Sequence, residues 1–498
     1  MKPFAFSLVL HAHLPYVKHP EHEFFLEEDW FFEAVCETYL PLLDVLERLQ
    51  SQSVLARITL VLSPPLLKMM KDDLLCERIL RYIHEHIELS KSEQKRLPIN
   101  SSEYSLSQMY EQSYRRCLYA FDELWDGDLP RAFKLFQEAG YLDLITTAKT
   151  HAYLPLLNND VDFLEEQVHR GCESFEAIMG FASQGFWLPE CGYCPELDSI
   201  LVENGVKYTF VETHGLLEGT PKPPYSNFAP LQTESGLMVF GRNALSSKQV
   251  WSAREGFPGA FAYRDFYEDI GFTQGLEHVQ LYHERRGAQA FTGLKYKAVM
   301  GEDSNKSIYR PDLAKQLPWL HADYYWNEMH MHLKKAGGLM EEAPLAVACY
   351  DAELFGHWWY EGLLWLEAIC HFCDERPEIS LLTSEDYIYQ QKVLQKGAPA
   401  ISSWGQGGYH EMWLSAENDW VFHALKSAMK HYREVLKEML QPTSKQKEKL
   451  AQALEELLLA QSSDWAFLIK TKTGEAYATQ RIKGHLQKME DLLADLIE

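Results

Sequence analysis

Seven short apolar or β-branched runs recur along the chain, at residues 4–10, 57–62, 142–147, 185–188, 208–211, 345–350 and 379–382. Each has the length of a buried strand, and most are near-continuous apolar runs with no wet face. Stretches of helical periodicity lie between many of them. That alternation predicts parallel strands joined by helical crossovers, an α/β fold. Seven such runs suggest a barrel of about seven strands.

Two regions break the alternation. Residues 68–140 are rich in Leu, Glu, Lys and Arg at helical spacing, as in Leu74, Leu75, Ile79, Ile83 and Ile87. They predict a helical subdomain inserted into a barrel loop. From Trp413 onward the pattern is again helical, over residues 421–440, 445–459 and 476–497. Pro442 and Gln461-Ser-Ser-Asp464 bound the second of these. The expected domains are a barrel over 1–67 and 141–400, the insert over 68–140, and a C-terminal helical domain over 401–498. Residues 214–260 carry Pro221, Pro223, Pro224, Gly236, Gly241, Pro258 and Gly259 with weak periodicity. They are expected to form a long functional or mobile loop.

The residues just past the strands are more telling. His11 and His13 come after the first run, His151 after the third, Glu190 after the fourth, Glu212 after the fifth, and Asp351 and Glu353 after the sixth. In a barrel of parallel strands, the C-terminal ends form the face where active sites lie.

Composition narrows the chemistry. The formal net charge is −25. Such a field repels phosphate backbones and anionic membrane surfaces, and a neutral ligand is indifferent to it. No apolar run approaches the ~18 residues of a membrane span. The first run passes straight into His11 and His13 without a small-residue cleavage site, so it reads as a strand and the expected location is cytoplasmic. Nine cysteines in 498 residues do not make a disulfide scaffold. The chain also holds 13 Trp, 26 Tyr and 25 Phe. Flat rings suit cores, and they also suit stacking on sugars.

Four constellations could carry chemistry. In Gly185-Phe-Trp187-Leu-Pro-Glu190 a strand ends and presents a carboxylate. In Tyr350-Asp351-Ala-Glu353-Leu-Phe-Gly356-His357-Trp358-Trp359 another does so amid aromatic surface. Two strand-end carboxylates among aromatics are what glycosidic bond cleavage needs, one as nucleophile and one as acid; helix N-caps would use the same residues. His11-Ala-His13, with His151, could bind a metal, contact sugar hydroxyls, or be structural. Cys191-x-x-Cys194 and Cys370-x-x-Cys373 could form a zinc site or be plain buried thiols. In residues 402–413, glycines flanked by Trp404 and Trp413 offer a weaker sugar-binding edge.

Taken in order, these segments resemble the motifs of glycoside hydrolase family 57. His11-Ala-His13-Leu-Pro-Tyr16 resembles the first and Lys149-Thr-His151-Ala-Tyr-Leu-Pro155 the second. Trp187-Leu-Pro-Glu190 resembles the nucleophile motif, the segment Tyr350 to Trp359 the acid motif, and Ser403-Trp404-Gly405 the fifth. The similarity spans nearly the whole chain. Within the family it leans toward the α-1,4-glucan branching enzymes, on residues 405–413, the helical C-terminus and Asp464-Trp-Ala-Phe-Leu468.

The resemblance implies a (β/α)7 barrel with an inserted helical subdomain and a C-terminal helical domain. It implies a retaining mechanism on an α-glucan substrate, without cofactor or metal. Glu190 would be the nucleophile and Asp351 the general acid and base. His11, His13 and His151 would line the donor site. Arg264, Trp404 and Asp464 match substrate-binding positions of branching members. Trp187, His357, Trp358 and Trp413, within or beside the motifs, complete the expected substrate-binding set.

The chain departs from the pattern in places. Lys470-Thr-Lys-Thr473-Gly474 stands where Gly-Gln or Gly-Thr is expected, Ala466 where Pro is expected, and Cys194 where a basic residue is common. Thr473 is the candidate for the contact that this stretch would make. Tyr225 is the only tyrosine in the segment expected to shield the intermediate from water. The implied activity is branching, with a 4-α-glucanotransferase or α-amylase as the alternative on the same scaffold. A metal-dependent hydrolase using His11 and His13, or a non-catalytic glucan-binding protein, is the more distant reading. The sequence does not give the oligomeric state.

Overall fold

The computed structural model describes residues 4–251, 256–273, 279–299 and 306–497. Its strands are β1 (Phe4–Ala12), β2 (Ile58–Leu62), β3 (Leu142–Thr147), β4 (Gly185–Trp187), β5 (Tyr208–Val211), β6 (Leu231–Gln232), β7 (Met238–Gly241), β8 (Leu345–Asp351), β9 (Ile379–Leu381) and β10 (Gln395–Lys396). The chain divides into two compact units. The first comprises Met1–Leu60, Leu67–Leu144 and Asn243–Tyr387; the second comprises Val61–Leu66, Ile145–Arg242 and Ile388–Glu498.

In the first unit β1 is the central strand. All nine of its residues are buried. It pairs in parallel with β8 from Ala5↔Leu345 to His11↔Asp351, and with β9 from Phe4↔Ile379 to Phe6↔Leu381. The continuous apolar run reflects this placement: a parallel strand covered on both faces has no wet side. Phe6 packs edge-on against Trp326 of the helix Leu317–Gly337, with ring centroids 4.8 Å apart. Burying each such side chain contributes about 1.5–3 kcal/mol. The register also sets His11 directly beside Asp351, so two motifs that lie far apart in sequence end side by side.

The segment 68–140 is helical, as its spacing predicts. Its long helices are Asp73–Arg96 and Ser102–Leu118, with Leu129–Glu138 after them. Asp72 and Ser101 cap the first two, accepting from the backbone N–H groups of Leu75 and Tyr104. Leu75, Ile79, Ile83 and Ile87 form the buried stripe. Upstream, a π-helical turn, Val35–Tyr39, brings Glu37 and Tyr39 toward the end of β8. Gly356 makes that approach feasible: at φ +99°, a Cβ there would stand 1.9 Å from the carbonyl oxygen of Glu37.

In the second unit β3, β4, β5 and β7 pair in parallel, β6 runs antiparallel to β7, and β10 pairs in parallel with β6. The C-terminal helices are Asp419–Glu438, Ser444–Ala460, Ser463–Thr471 and Glu475–Ile497. A capping box between Thr443 and Gln446 starts the second of these. They share one core with the strands: Phe186, Leu188 and Val211 pack in the same cluster as Leu454, Leu457, Met489 and Leu493.

One expectation is corrected here. The segment 214–260 is not a long loop; residues 252–255 of it lie outside the described residues. It holds the helices Thr213–Leu217 and Ala244–Trp251 and the strands β6 and β7. β7 extends the parallel pairing from Tyr208↔Met238 to Val211↔Gly241. Its apolar stretch is only four residues long and sits between Gly236 and Arg242. The surrounding proline and glycine signals therefore mask it in a pattern reading.

Candidate active site

Glu190 stands just past β4, in a tight turn that includes Pro189. Its φ is +61° and that of Cys191 is +50°, while His151, past β3, has φ +57°. Non-glycine residues seldom adopt this left-handed conformation, and they keep it only where surrounding structure over-determines it. That structure is visible around Glu190. The indole Nε1 of Trp404 donates to Glu190 Oε2 at 2.6 Å, and the hydroxyl of Ser463 donates to Glu190 Oε1 at 2.9 Å. The backbone N–H of Trp404 donates to the Glu190 carbonyl at 3.0 Å. With both oxygens engaged, the carboxylate is fixed in orientation.

A second layer fixes those donors. Trp404 lies beside the fully buried Trp187, with centroids 5.1 Å apart, and under the Arg242 guanidinium at 5.0 Å. Arg242 in turn pairs with Glu212. His151 Nδ1 lies 2.9 Å from Ser463 Oγ. The residues before Ser463 are tied to the end of β3: Thr150 Oγ1 donates to the Leu458 carbonyl, and Gln167 Nε2 donates to Gln461 Oε1 at 2.8 Å. Asp464 accepts from Ser462 Oγ.

In the first unit, Asp351 ends β8 and receives a side-chain bond from His11 Nδ1 at 3.0 Å, with its own side chain 37% exposed. Two residues on, Glu353 is buried. It accepts at Oε1 from the backbone N–H of His13 at 3.2 Å and from the Tyr39 hydroxyl. Burial, and next the charge of Asp351, pushes the Glu353 carboxyl up to about 8. That shift favours the protonated, neutral form of Glu353. The rings of His11 and His13 stack, 5.7 Å apart.

Further out, His357 Nδ1 pairs with Glu37 Oε2 at 2.7 Å. Burial works to raise the Glu37 carboxyl, but the bond and charge of His357, with Arg264 and Lys295 behind it, hold it below its ordinary value. Burial and the Glu37 charge push its neighbour Glu33 well above the usual range. Arg264 is buried, its guanidinium lies 4.1 Å over the Tyr360 ring, and its backbone N–H donates to Glu361. Trp358 is half exposed and stacks on Phe266 at 4.2 Å, an open flat surface of the kind a sugar ring covers.

The structure thus gathers the residues singled out in the sequence into two shells. Glu190, His151, Trp187 and Trp404 belong to one, with Asp464 next to it in sequence through Ser463. Asp351, His11, His13, His357, Trp358 and Arg264 belong to the other. Trp413 is buried and stacks on Tyr153 at 4.1 Å, so it backs the wall rather than offering an open face. Thr473 bonds Thr471 on an exposed turn. Tyr225 lies in a fastened turn, where its N–H donates to Gln395 Oε1 and Gln395 Nε2 donates to the Ser226 and Ala229 carbonyls. Cys191, within the Glu190 turn, and Cys194, just past it, are buried, and Cys370 and Cys373 are buried in the helix Gly362–Glu375. Burial pushes the Cys370 thiol up to about 12.

Ser463, Glu353, Tyr39 and Glu37 are not among the site residues that the resemblance implies. Glu353 is within reach, two positions after Asp351 in the same motif, and Ser463 directly precedes Asp464. Nothing local marks Glu37 or Tyr39. Among the described residues, no helix is long and apolar enough to cross a membrane.

Strand-end carboxylates among aromatic rings are what an enzyme of the glycoside hydrolase type uses. Comparison with known proteins makes this specific. The model of glycosyl hydrolase family 57 matches residues 7–401, and that of the 1,4-alpha-glucan branching enzyme C-terminal region matches residues 411–498. A 1,4-alpha-glucan branching enzyme of Thermococcus kodakarensis is 29% identical, the match covering 99% of this chain and 73% of that protein. Among solved structures, the alpha-amylase AmyC from Thermotoga maritima superposes with a TM-score of 0.92 at 35% identity, covering 100% of this chain and 94% of that one. A branching enzyme from Pyrococcus horikoshii gives 0.87 at 26% identity, with 100% and 94% covered. The chain belongs to glycosyl hydrolase family 57, and its fold is the mixed α/β, (β/α)7 class of that family.

Proposed function

We propose that the chain is a 1,4-α-glucan branching enzyme with Glu190 as nucleophile and Asp351 as general acid and base. The observation that carries the assignment of Glu190 is its presentation in strained backbone with both carboxylate oxygens held. Asp351 protonates the glycosidic oxygen of an α-1,4 bond as a Glu190 oxygen attacks the anomeric carbon. The bond to the leaving chain breaks and a covalent glycosyl-enzyme forms. The 6-hydroxyl of another chain then attacks that carbon and gives its proton to Asp351, which frees Glu190. Two inversions leave the configuration retained and create an α-1,6 branch. Trp358 and Phe266 provide an open platform for the glucan, and His11 holds Asp351 in place.

The domain reading belongs to the same proposal: a barrel over 1–67 and 141–400, an insert over 68–140 and a C-terminal region over 401–498. The match of residues 411–498 to the branching enzyme C-terminal model supports both this boundary and branching as the outcome. A second reading is hydrolysis of α-1,4 bonds on the same scaffold. The 35% identity to the Thermotoga maritima alpha-amylase favours it. Proton NMR of amylose incubated with the protein, with reducing ends assayed in parallel, separates the two. New α-1,6 anomeric signals with few new reducing ends are expected. Abundant reducing ends without such signals would establish the hydrolase.

A further inference from the structure

We infer that Ser463 is a positioning residue for the nucleophile, linking Glu190 to His151. The inference rests on the reading of Glu190 as nucleophile. Ser463 is 2% exposed and has one hydroxyl proton. Its Oγ lies 2.9 Å from Glu190 Oε1 and 2.9 Å from His151 Nδ1. A carboxylate oxygen only accepts, so the serine proton goes to Glu190. His151 Nδ1 must then be the donor to the serine oxygen. This fixes the imidazole with a proton on Nδ1. The direct separation of His151 Nδ1 and Glu190 Oε1 is 4.0 Å, too long for a hydrogen bond, so the serine is the link between them.

The backbone repeats the connection. Ser463 N–H donates to the His151 carbonyl at 3.0 Å, and Ala152 and Ser462 form an antiparallel bridge. His151 and Glu190 both occupy left-handed backbone, and Ser463 touches both. Ser463 lies in the C-terminal region at 411–498. That region therefore supplies a donor to the nucleophile, in addition to any role in holding glucan.

Without this donor, Oε1 of Glu190 loses one bond that orients it, and the carboxylate is held less firmly against rotation. A displacement of about 1 Å at a reacting atom costs on the order of 100-fold. Ser463→Ala, in the full chain, should lower kcat on amylose by about 10- to 100-fold with KM within about twofold. Accumulation of the glycosyl-enzyme from a 5-fluoro-α-glucosyl fluoride, tracked by intact mass, should slow by the same factor. Ser463→Thr keeps the hydroxyl and should recover most of both rates. Ser463→Cys, of similar size but a weak donor, carries the same test should the alanine variant not fold.

Unchanged kcat in Ser463→Ala, or a loss that threonine does not recover, overturns the inference. So does a loss of kcat with wild-type labelling, because positioning acts on the attack itself. Glu190→Gln separates the two readings. If it turns over normally, the nucleophile assignment is wrong. If it is inactive while Ser463→Ala behaves as wild type, only the role of Ser463 is wrong.

Discussion

Glu190 has a donor on each carboxylate oxygen, Trp404 on one and Ser463 on the other, and the backbone beneath it is strained. Asp351 sits in ordinary extended backbone at the end of β8, takes a side-chain bond from His11, and is more than a third exposed. The difference matches what the two groups do in the proposed reaction. A nucleophile must meet the anomeric carbon along one line, so orientation is worth fixing. An acid and base must pick up and release a proton in turn, so it must stay reachable. One shell is specified by geometry and the other by proton traffic.

The largest effect should come from Glu190→Gln. The amide keeps size and contacts but does not form the covalent bond, and turnover should fall by at least about 10⁴-fold. Near-normal turnover would dissolve the contrast, because the rigid shell would then hold nothing reactive. Asp351→Asn should cost about 10²–10⁴-fold on amylose. On a glucosyl fluoride, whose leaving group needs no proton, formation of the glycosyl-enzyme should fall far less. Equal losses on both substrates would show that Asp351 does more than move protons.

Trp404→Phe sharpens the comparison on the Glu190 side. It retains a smaller flat ring beside Trp187 and removes the Nε1–H donor to Glu190 together with the pyrrole part of the indole. We expect kcat to fall about 10- to 100-fold, with a smaller change in KM, from a steady-state series on amylose. If KM rises and kcat holds, Trp404 serves the glucan rather than the nucleophile.

The two shells are not equally legible in the sequence. Glu190, Asp351, His11 and His151 stand at strand ends within dense local motifs, so spacing and pattern reach them. The strands themselves are short buried runs, and most are readable for the same reason. β7 is not, because four apolar residues between a glycine and an arginine carry too little periodicity against the prolines around them. Ser463 reaches Glu190 across 273 positions of sequence, and Glu37 reaches His357 across 320. Such contacts are products of the fold, and no local pattern encodes them. Trp413 and Trp187 show the converse: both fall in the expected substrate-binding set, and both side chains are buried.

Glu353 gives the smallest expected effect and probes the Asp351 side. A glutamate in an unfolded chain titrates near about 4.3, whereas burial with Asp351 nearby pushes Glu353 up to about 8. Between these values the folded protein holds the proton and the unfolded chain has released it. The stabilising contribution is therefore complete below about 4.3 and is lost as pH rises through about 8. Glu353→Gln cannot ionise, yet it keeps an oxygen to accept from His13 N–H and Tyr39. Its melting temperature should fall less than that of the wild type between about pH 6 and pH 9, with the two curves diverging most at the alkaline end. Parallel curves would mean that Glu353 is charged throughout that range. The surroundings of Asp351 would then be two carboxylates of like charge, and the contrast with the anchored Glu190 would have to be drawn on exposure alone.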